Sequence, residues 1–249
     1  MAISSDQFVE RFRSLGRRGG IFLDFDGTIS DIATRPELAT PRPEAAGILE
    51  GLIRTYGIVA VVSARPAEAV RSLLQLPRVQ VFGLYGLAED APPSSAVEAA
   101  RDAAHAAAEM VEGAWVEDKG QSLAVHYRGA PDPILAGAVL SERLSAAAAA
   151  AGLTLIPGKK VLELAPRNVP GKGSVIEREC RSRALEGCLY AGDDLSDLDA
   201  FGALERLREE GLIAAAVAVR SDETPPEVIE AADIVVDRPE GLMRLLARL

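Results

Sequence analysis

The sequence has few of the residues on which cysteine-stabilised and aromatic-rich proteins depend. Its 249 residues include two cysteines, Cys180 and Cys188, which cannot form a zinc site alone and do not indicate a disulfide framework. We expect both to be buried as small apolar side chains. Aromatic residues make up 4% of the chain while hydrophobic residues make up 48%, which predicts an aliphatic core.

Long apolar runs and excess positive charge are also missing. We find no run that approaches bilayer length and no signal-peptide core in residues 1–20, so we expect a cytoplasmic protein with no membrane association. The net charge of −10 and the pI of about 4.9 disfavour nucleic acid as a partner. An anionic small molecule stays compatible, because a bound cation reverses the local field.

Short apolar segments alternate with helical segments over both ends of the chain. Such alternation predicts an α/β fold with a doubly wound, Rossmann-like parallel sheet. The predicted strands are residues 21–25, 58–62, 79–82, 188–191, 213–219 and 234–236. Helices are predicted between most of them, for example at 43–56, 67–74 and 173–183.

The middle of the chain has a different pattern, in which a helix followed by two strands occurs twice. The predicted helices are 94–112 and 133–151, and the predicted strands are 114–117, 122–127, 153–156 and 161–164. Residues 122–127 alternate in polarity, which predicts a sheet with one exposed face. We therefore expect a larger core domain of residues 1–90 and 166–249, with an inserted α+β cap domain of residues 91–165. The chain is expected to cross between them at 92–93 and 166–171.

The first polar motif is Asp24-Phe25-Asp26-Gly27-Thr28, directly after the first predicted strand. Ligands of open α/β sheets bind at the carboxyl ends of strands. A carboxylate there can bind Mg²⁺ and attack phosphorus, and a second can transfer protons. Paired acids that merely start a turn are the alternative.

Two further motifs supply groups for phosphate. Ser63 ends the second strand, where a hydroxyl can hold phosphate oxygens, although an ordinary helix N-cap is the alternative. Lys172 opens a helix and would add positive charge beside a phosphate, although a lone lysine is more often a solvated surface residue.

The last motif is an acidic cluster, Asp193, Asp194 and Asp197, after another apolar strand. Acids at a helix start have a benign explanation in the helix dipole. Several carboxylates at one strand end repel each other, however, and a bound cation relieves that repulsion. We therefore predict a metal site here.

Together these motifs closely resemble the haloacid-dehalogenase-like hydrolase superfamily. The resemblance implies that Asp24 is the nucleophile and Asp26 the general acid/base. It also implies phosphate binding by Ser63 and Lys172, a group in which we include Thr28. Mg²⁺ would be held by Asp24, Asp26 through its backbone carbonyl, and Asp193, while Asp194 and Asp197 would support the metal or the lysine.

The sequence resembles trehalose-6-phosphate phosphatases nearly end to end. The most specific stretch is residues 117–128, within the predicted cap. The resemblance implies a small-molecule sugar phosphate as substrate and sugar contacts by Lys119, His126, Arg128, Lys159 and Glu163. It also allows a trehalose-phosphate synthase as a partner, although no synthase segment is visible in the sequence. We expect the cap to close over the sugar.

Three positions depart from that family's pattern, in which a glycine, a histidine and a glutamate usually stand at Ala64, Tyr85 and Leu198. These departures leave the predicted chemistry untouched and put the substrate in doubt more than the reaction. A phosphatase for another sugar phosphate, of the mannosyl or sucrose type, is therefore one alternative. A non-catalytic sugar-phosphate-binding protein is another, which the presence of both Asp24 and Asp26 disfavours.

Overall fold

The computed structural model describes residues 5–87 and 94–249. Its strands are β1 Gly19–Leu23, β2 Ile58–Val62, β3 Gln80–Phe82, β4 Trp115–Asp118, β5 Leu123–His126, β6 Leu153–Gly158, β7 Val161–Pro166, β8 Gly187–Gly192, β9 Ile213–Arg220 and β10 Ile234–Asp237. Its helices are α1 Ser5–Arg13, α2 Ala45–Thr55, α3 Ala67–Leu74, α4 Ser95–Glu109, α5 Pro133–Ala151, α6 Gly171–Ser182, α7 Leu198–Glu209, α8 Pro226–Ala231 and α9 Arg238–Leu246.

The chain forms two compact units, one of residues 1–86 and 170–249 and one of residues 87–169. The first predicted crossing, Pro92–Pro93, lies outside the described residues, as does the predicted boundary at residue 90. The second change of unit follows Val169, within the predicted segment 166–171.

The first unit is built on a six-stranded parallel sheet in the order β10-β9-β8-β1-β2-β3, which confirms the predicted α/β class. Strands β1, β2 and β8 are buried along their whole length, because helices cover both faces of the sheet. The chain builds outward from β1 in one direction and then from β8 in the other. The strand order therefore reverses between β1 and β8, which is the point where doubly wound sheets bind ligands.

Two apolar layers hold this sheet, one on each face. Ile21 and Leu23 of β1 pack into the layer that includes α1, α2 and α9, whereas Phe22 packs into the layer of α6 and α7. Both cysteines, Cys180 and Cys188, lie buried in the second layer as free thiols, as predicted.

The predicted first strand was too long, because β1 ends at Leu23 rather than at residue 25. The backbone N–H of Asp24 still donates to the Ala191 carbonyl at 2.8 Å, and the chain then turns. The carbonyl of Phe25 accepts from the N–H groups of Ile29 and Ser30, which closes that turn. Asp24 and Asp26 consequently do not share a strand face.

The second unit is a four-stranded antiparallel sheet, in the order β4-β5-β7-β6, with α4 and α5 packed on one face. Leu123, Val125 and Leu164 point into this helical core. The expectation of one exposed sheet face is wrong at Ala124, which is fully buried. Its methyl group lies in register with the longer side chain of Glu163, which shares its sheet face.

Helix α5 departs from the expectation that no apolar segment reaches bilayer length. By length and composition it is the one helix among residues 5–87 and 94–249 that could cross a membrane, with a mean hydropathy of 1.4. Its buried residues, Ala136, Leu140, Leu144 and Ala148, recur every fourth position, and the last three pack into the core of the second unit. A single helix of this kind is weak evidence for a membrane location.

Candidate active site

The candidate site lies where β1 and β8 end, at the reversal of strand order. Asp24 follows β1, and Asp193 follows β8, so the parallel pairing of the two strands brings both carboxylates to one edge of the sheet. Both side chains are buried. The predicted meeting of the first and last motifs is therefore present in the structure.

Lys172 is the cation of this site. Its Nζ lies 3.0 Å from Oδ1 of Asp24 and 2.6 Å from Oδ1 of Asp197. The lysine is 2% exposed, so the alternative of a solvated surface lysine is wrong. Helix α6 presents Lys172 from its first turn, where the N–H of Gly173 donates to Oδ2 of Asp199 at 2.8 Å.

Asp197 supports its neighbours with both of its carboxylate oxygens. Oδ1 accepts from Lys172 and, at 2.5 Å, from the hydroxyl of Tyr190. Oδ2 accepts from the backbone N–H groups of Asp193 and Asp194 at 2.7 and 2.8 Å. These hydrogen bonds fix the loop after β8, so Asp197 holds the side chain of Lys172 and the backbone of Asp193 in position.

The buried charges change the ionisation of both acids. Burial raises the pKa of Asp24 to about 7, although the nearby Lys172 opposes that rise. Burial also acts to raise the pKa of Asp197, but Lys172 outweighs it and the net direction is downward. The ionised form of Asp197 is therefore favoured beside Lys172, and a further positive charge would favour the ionised form of Asp24.

The acidic cluster fits a metal ion by its composition. Carboxylate oxygens of Asp24, Asp193 and Asp197 lie within 4.8 Å of one another, against the single ammonium of Lys172. A Cβ on Gly27 would lie 2.0 Å from Oδ2 of Asp193, so the glycine backbone packs directly against that carboxylate. Oxygen-only donors suit hard cations such as Mg²⁺ or Mn²⁺.

The remaining core residues occupy separate positions around this cluster. Thr28 is buried, and its hydroxyl donates to Oδ1 of Asp193 at 3.4 Å. Ser63 is also buried, and its Oγ accepts from the N–H of Arg65 at 3.2 Å. Helix α3 has Pro66 as its N-cap, so Ser63 is not an ordinary cap. Phosphate binding by Thr28 and Ser63 stays a prediction.

Asp26 forms a two-point contact with Arg65. Its carboxylate accepts two hydrogen bonds from Arg65, at 2.6 and 2.7 Å, and its side chain is 38% exposed. The predicted contact of Asp26 with the metal concerns its backbone carbonyl and stays a prediction.

In the second unit, three predicted sugar-binding residues share the sheet face that does not carry α4 and α5. Glu163, which is 3% exposed, accepts from Lys119 at 3.0 Å and from the Ser122 hydroxyl at 2.5 Å. On the same face, Nε2 of His126 lies 2.9 Å from a carboxylate oxygen of Glu117. The face thus combines hydrogen-bond donors and acceptors, as a polyol ligand requires.

The two other predicted sugar-binding residues, Arg128 and Lys159, lie beside each other in the second unit. The guanidinium of Arg128 donates to the backbone carbonyl of Lys159 at 3.1 Å. Their role in sugar binding stays a prediction.

Comparison with known proteins identifies the family. A family model described as trehalose-phosphatase matches residues 22–228, which span the candidate site and the second unit. The chain belongs to the trehalose-phosphatase family. Its predicted resemblance to that family is confirmed.

Relatives of this family member differ in length. A protein of Mycobacterium tuberculosis named as an uncharacterized glycosyl hydrolase is 38% identical over 76% of this chain and 15% of its own length. A trehalose-phosphate phosphatase of Mycobacterium avium is 34% identical over 76% of this chain and 52% of its own length. This chain therefore spans about half, or much less, of these two relatives.

A solved structure shows the same fold. The C-terminal domain of trehalose-6-phosphate phosphatase from Candida albicans superimposes with a TM-score of 0.83, covering 98% of this chain and 96% of that one. Their sequence identity is 21%, so this likeness concerns the fold alone.

Several residues of the candidate active site and of the polar sheet face of the second unit were not assigned a role from the sequence. They are Tyr190, which donates to Asp197, Ser122, which donates to Glu163, Glu117, which contacts His126, and Arg65. Ser122 and Glu117 lie in the specific stretch 117–128, so that stretch was a usable signal. Arg65 directly follows Ala64, a position already compared with the family pattern, so that segment was also a usable signal. Tyr190 lies within an apolar strand and had no comparable signal.

Proposed function

We propose that this chain hydrolyses trehalose 6-phosphate to trehalose and inorganic phosphate, with Mg²⁺ as cofactor. The observation that supports this most is the buried group of Asp24, Asp193 and Lys172 at the strand-order reversal of a trehalose-phosphatase family member. A nucleophilic carboxylate, a cation for the phosphate and a second acidic ligand are then present together.

In the first step, a carboxylate oxygen of Asp24 attacks phosphorus and the ester bond to the sugar oxygen breaks. Asp26 gives its proton to the departing sugar oxygen, so that trehalose leaves as a neutral alcohol. Lys172 draws the phosphate and Asp24 together, since its ammonium already contacts the nucleophile. The product on the protein is an aspartyl-phosphate.

In the second step, water attacks the same phosphorus and gives a proton to Asp26. The bond between phosphorus and Asp24 breaks, which releases phosphate and restores both carboxyl groups. Ser63 and Thr28 would hold phosphate oxygens during both steps. Asp24, Asp193 and the backbone carbonyl of Asp26 would hold Mg²⁺, which would screen the repulsion between the Asp24 carboxylate and the phosphate.

The raised pKa of Asp24 supports a cation in this mechanism. With a pKa of about 7, the carboxyl group is partly protonated at neutral pH and then attacks poorly. A positive charge beside it favours the ionised form. A metal ion held by Asp24 and Asp193 would supply this positive charge in addition to that of Lys172.

The second unit supplies the sugar-binding groups under this proposal. Lys119 and Glu163 form a buried pair that carries no net charge, and His126 lies on the same face. Such a surface suits the hydroxyl groups of an uncharged disaccharide better than a second phosphate. Arg128 and Lys159 are proposed to add hydrogen-bond donors nearby. The second unit would then recognise the sugar and serve as the cap.

A substrate panel tests the proposal. Phosphate release is measured for trehalose 6-phosphate, sucrose 6-phosphate, a mannosyl phosphate and glucose 6-phosphate, with Mg²⁺ and with chelator. We expect the highest kcat/KM for trehalose 6-phosphate, and only with Mg²⁺. Faster hydrolysis of another sugar phosphate would move the assignment to that substrate, and no turnover of any would favour a binding protein.

A further inference from the structure

Arg65 holds the carboxylate of Asp26 in a two-point contact. Its Nε lies 2.6 Å from Oδ2 and its Nη2 lies 2.7 Å from Oδ1. The planar guanidinium matches the planar carboxylate in this geometry, which restrains both the position and the rotation of the acid. Arg65 is 11% exposed, so the pair is shielded on the arginine side.

The same guanidinium also contacts the loop after β1 on both sides of Asp26. Its Nη1 donates to the backbone carbonyl of Pro36 at 2.8 Å, and its Cζ lies 5.5 Å from the centre of the Phe25 ring. Three points of one loop are therefore tied to one side chain. Asp26 stays in place because the residue before it and a residue ten positions later share its anchor.

The backbone of Arg65 is fixed by a strained turn that follows β3. The Arg65 carbonyl accepts from the N–H of Leu84, and the Ser63 carbonyl accepts from the N–H of Tyr85, both at 3.0 Å. Leu84 and Tyr85 have φ of 48° and 55°, which non-glycine residues rarely adopt because the left-handed conformation is strained for them. Such strain is retained where the surrounding structure requires it, and here it braces Ser63 and Arg65.

We propose that Arg65 is a positioning residue that sets the direction of the Asp26 carboxylate for proton transfer. The proposal rests on the proposed function, in which Asp26 gives a proton to the sugar oxygen and takes one from water. Each carboxylate oxygen has two lone pairs, and Arg65 engages one on each. The remaining lone pairs face away from the guanidinium, and the transferred proton occupies one of them.

This role makes the effect of Arg65 depend on the leaving group. The sugar oxygen of trehalose 6-phosphate needs a proton as it departs, whereas p-nitrophenolate is stable without one. A misdirected Asp26 therefore slows formation of the aspartyl-phosphate from the sugar substrate and not from p-nitrophenyl phosphate. The parameter kcat/KM reports this step, because it contains no later one.

The test compares Arg65→Met with Asp26→Asn and with the double variant, using both substrates. For Arg65→Met we expect kcat/KM for trehalose 6-phosphate to fall by about 10²-fold, the scale of a small misplacement, with a much smaller fall for p-nitrophenyl phosphate. The double variant should be no slower than Asp26→Asn alone, because the arginine acts through the aspartate. Arg65→Lys, which keeps the charge without the two-point contact, should be intermediate.

Arg178→Met is the matched control. Arg178 also lies over a phenylalanine ring, at 5.3 Å from the centre of Phe82, and pairs with Glu179 rather than with Asp26. It should leave both kcat/KM values unchanged.

Two results would overturn the proposal for Arg65. One is an equal fall in kcat/KM with both substrates. The other is a double variant whose fall in kcat/KM is the product of the falls in the two single variants. A general packing role for Arg65 predicts both results. If Asp26→Asn itself retains full activity, the proposed function fails independently of Arg65. If Arg65→Met does not fold, Arg65→Lys is judged by the same two comparisons. These are its loss of kcat/KM with trehalose 6-phosphate against its loss with p-nitrophenyl phosphate, and the double variant against Asp26→Asn alone.

Discussion

Each unit of the molecule buries one lysine against one carboxylate at the same separation of 3.0 Å. In the first unit the pair is Lys172 and Asp24, and in the second it is Lys119 and Glu163. The surroundings of the two pairs differ. Asp193 and Asp197 join the first pair, whereas the hydroxyl of Ser122 joins the second.

That difference shows why a buried ion pair alone does not indicate chemistry. Three carboxylates lie close together in the first unit, two of them in contact with the ammonium of Lys172, and burial with neighbouring acids raises the pKa of Asp24 to about 7. The cluster therefore favours an added cation. The pair of Lys119 and Glu163 balances its own charge, so it suits recognition of uncharged hydroxyl groups. We expect variants of the two clusters to separate reaction from substrate choice.

The largest expected effect is loss of the metal from the first cluster. Chelator should reduce turnover of trehalose 6-phosphate and of p-nitrophenyl phosphate to background, and Mg²⁺ should restore both. Asp193→Asn should weaken activity and raise the Mg²⁺ concentration needed for half-maximal rate. Full activity of chelator-treated protein, shown by elemental analysis to be free of metal, would mean that the first cluster needs no cation for the reaction.

A smaller loss is expected from Asp26→Asn, because the nucleophile and the metal ligands remain. General acid–base groups contribute about 10²–10⁴-fold, and we expect a fall in kcat for trehalose 6-phosphate within that range. Steady-state phosphate release measures it. An unchanged kcat would mean that another group transfers the proton.

Glu163→Gln should affect one substrate only. A hydrogen bond to a charged group contributes about 1.5–3 kcal/mol, so we expect kcat/KM for trehalose 6-phosphate to fall roughly 10- to 150-fold. Hydrolysis of p-nitrophenyl phosphate, which has no sugar, should be unchanged. Glu142→Gln, at an exposed position of α5, is the control for charge loss in this unit.

Equal loss of both substrates in Glu163→Gln would place Glu163 in the fold or in the reaction. No loss of either would contradict sugar binding by this face, and with it the contrast between the two clusters.

The smallest expected effect concerns stability without metal. The folded-state pKa of Asp24, about 7, lies above the roughly 3.9 of an unfolded aspartate, so its protonated form stabilises the fold below about pH 4. That contribution is lost as the pH rises toward 7. Relative to Asp24→Asn, the metal-free protein should lose about 1 kcal/mol per pH unit between about 5 and 7.

Urea unfolding at several pH values, with chelator present, measures this difference. Asp197→Asn should show the opposite trend, since Lys172 lowers the pKa of Asp197 and that contribution is lost as the pH falls. A pH-independent difference between the protein and Asp24→Asn would mean that Asp24 is ionised throughout.

Much of the first unit could be predicted because its signals are local. Apolar strands ending in Asp24 and Asp193 define the sheet edge, and parallel pairing then brings the two acids together. The pairing of Arg65 with Asp26 could not be predicted, because it joins residues 39 positions apart through side-chain rotation. Burial of Ala124 was missed because alternation along one strand does not report what covers that face of the sheet.

Trapping the covalent intermediate tests most directly whether Asp24 is the nucleophile. The Asp26→Asn variant is mixed with p-nitrophenyl phosphate, which needs no acid to leave, and is quenched in acid before mass spectrometry. We expect one phosphoryl group, located on the peptide that contains Asp24 and released by hydroxylamine. No phosphoryl group should form in the Asp24→Asn variant. Release of p-nitrophenol without a covalent phosphoryl group, or its attachment elsewhere, would contradict the assignment.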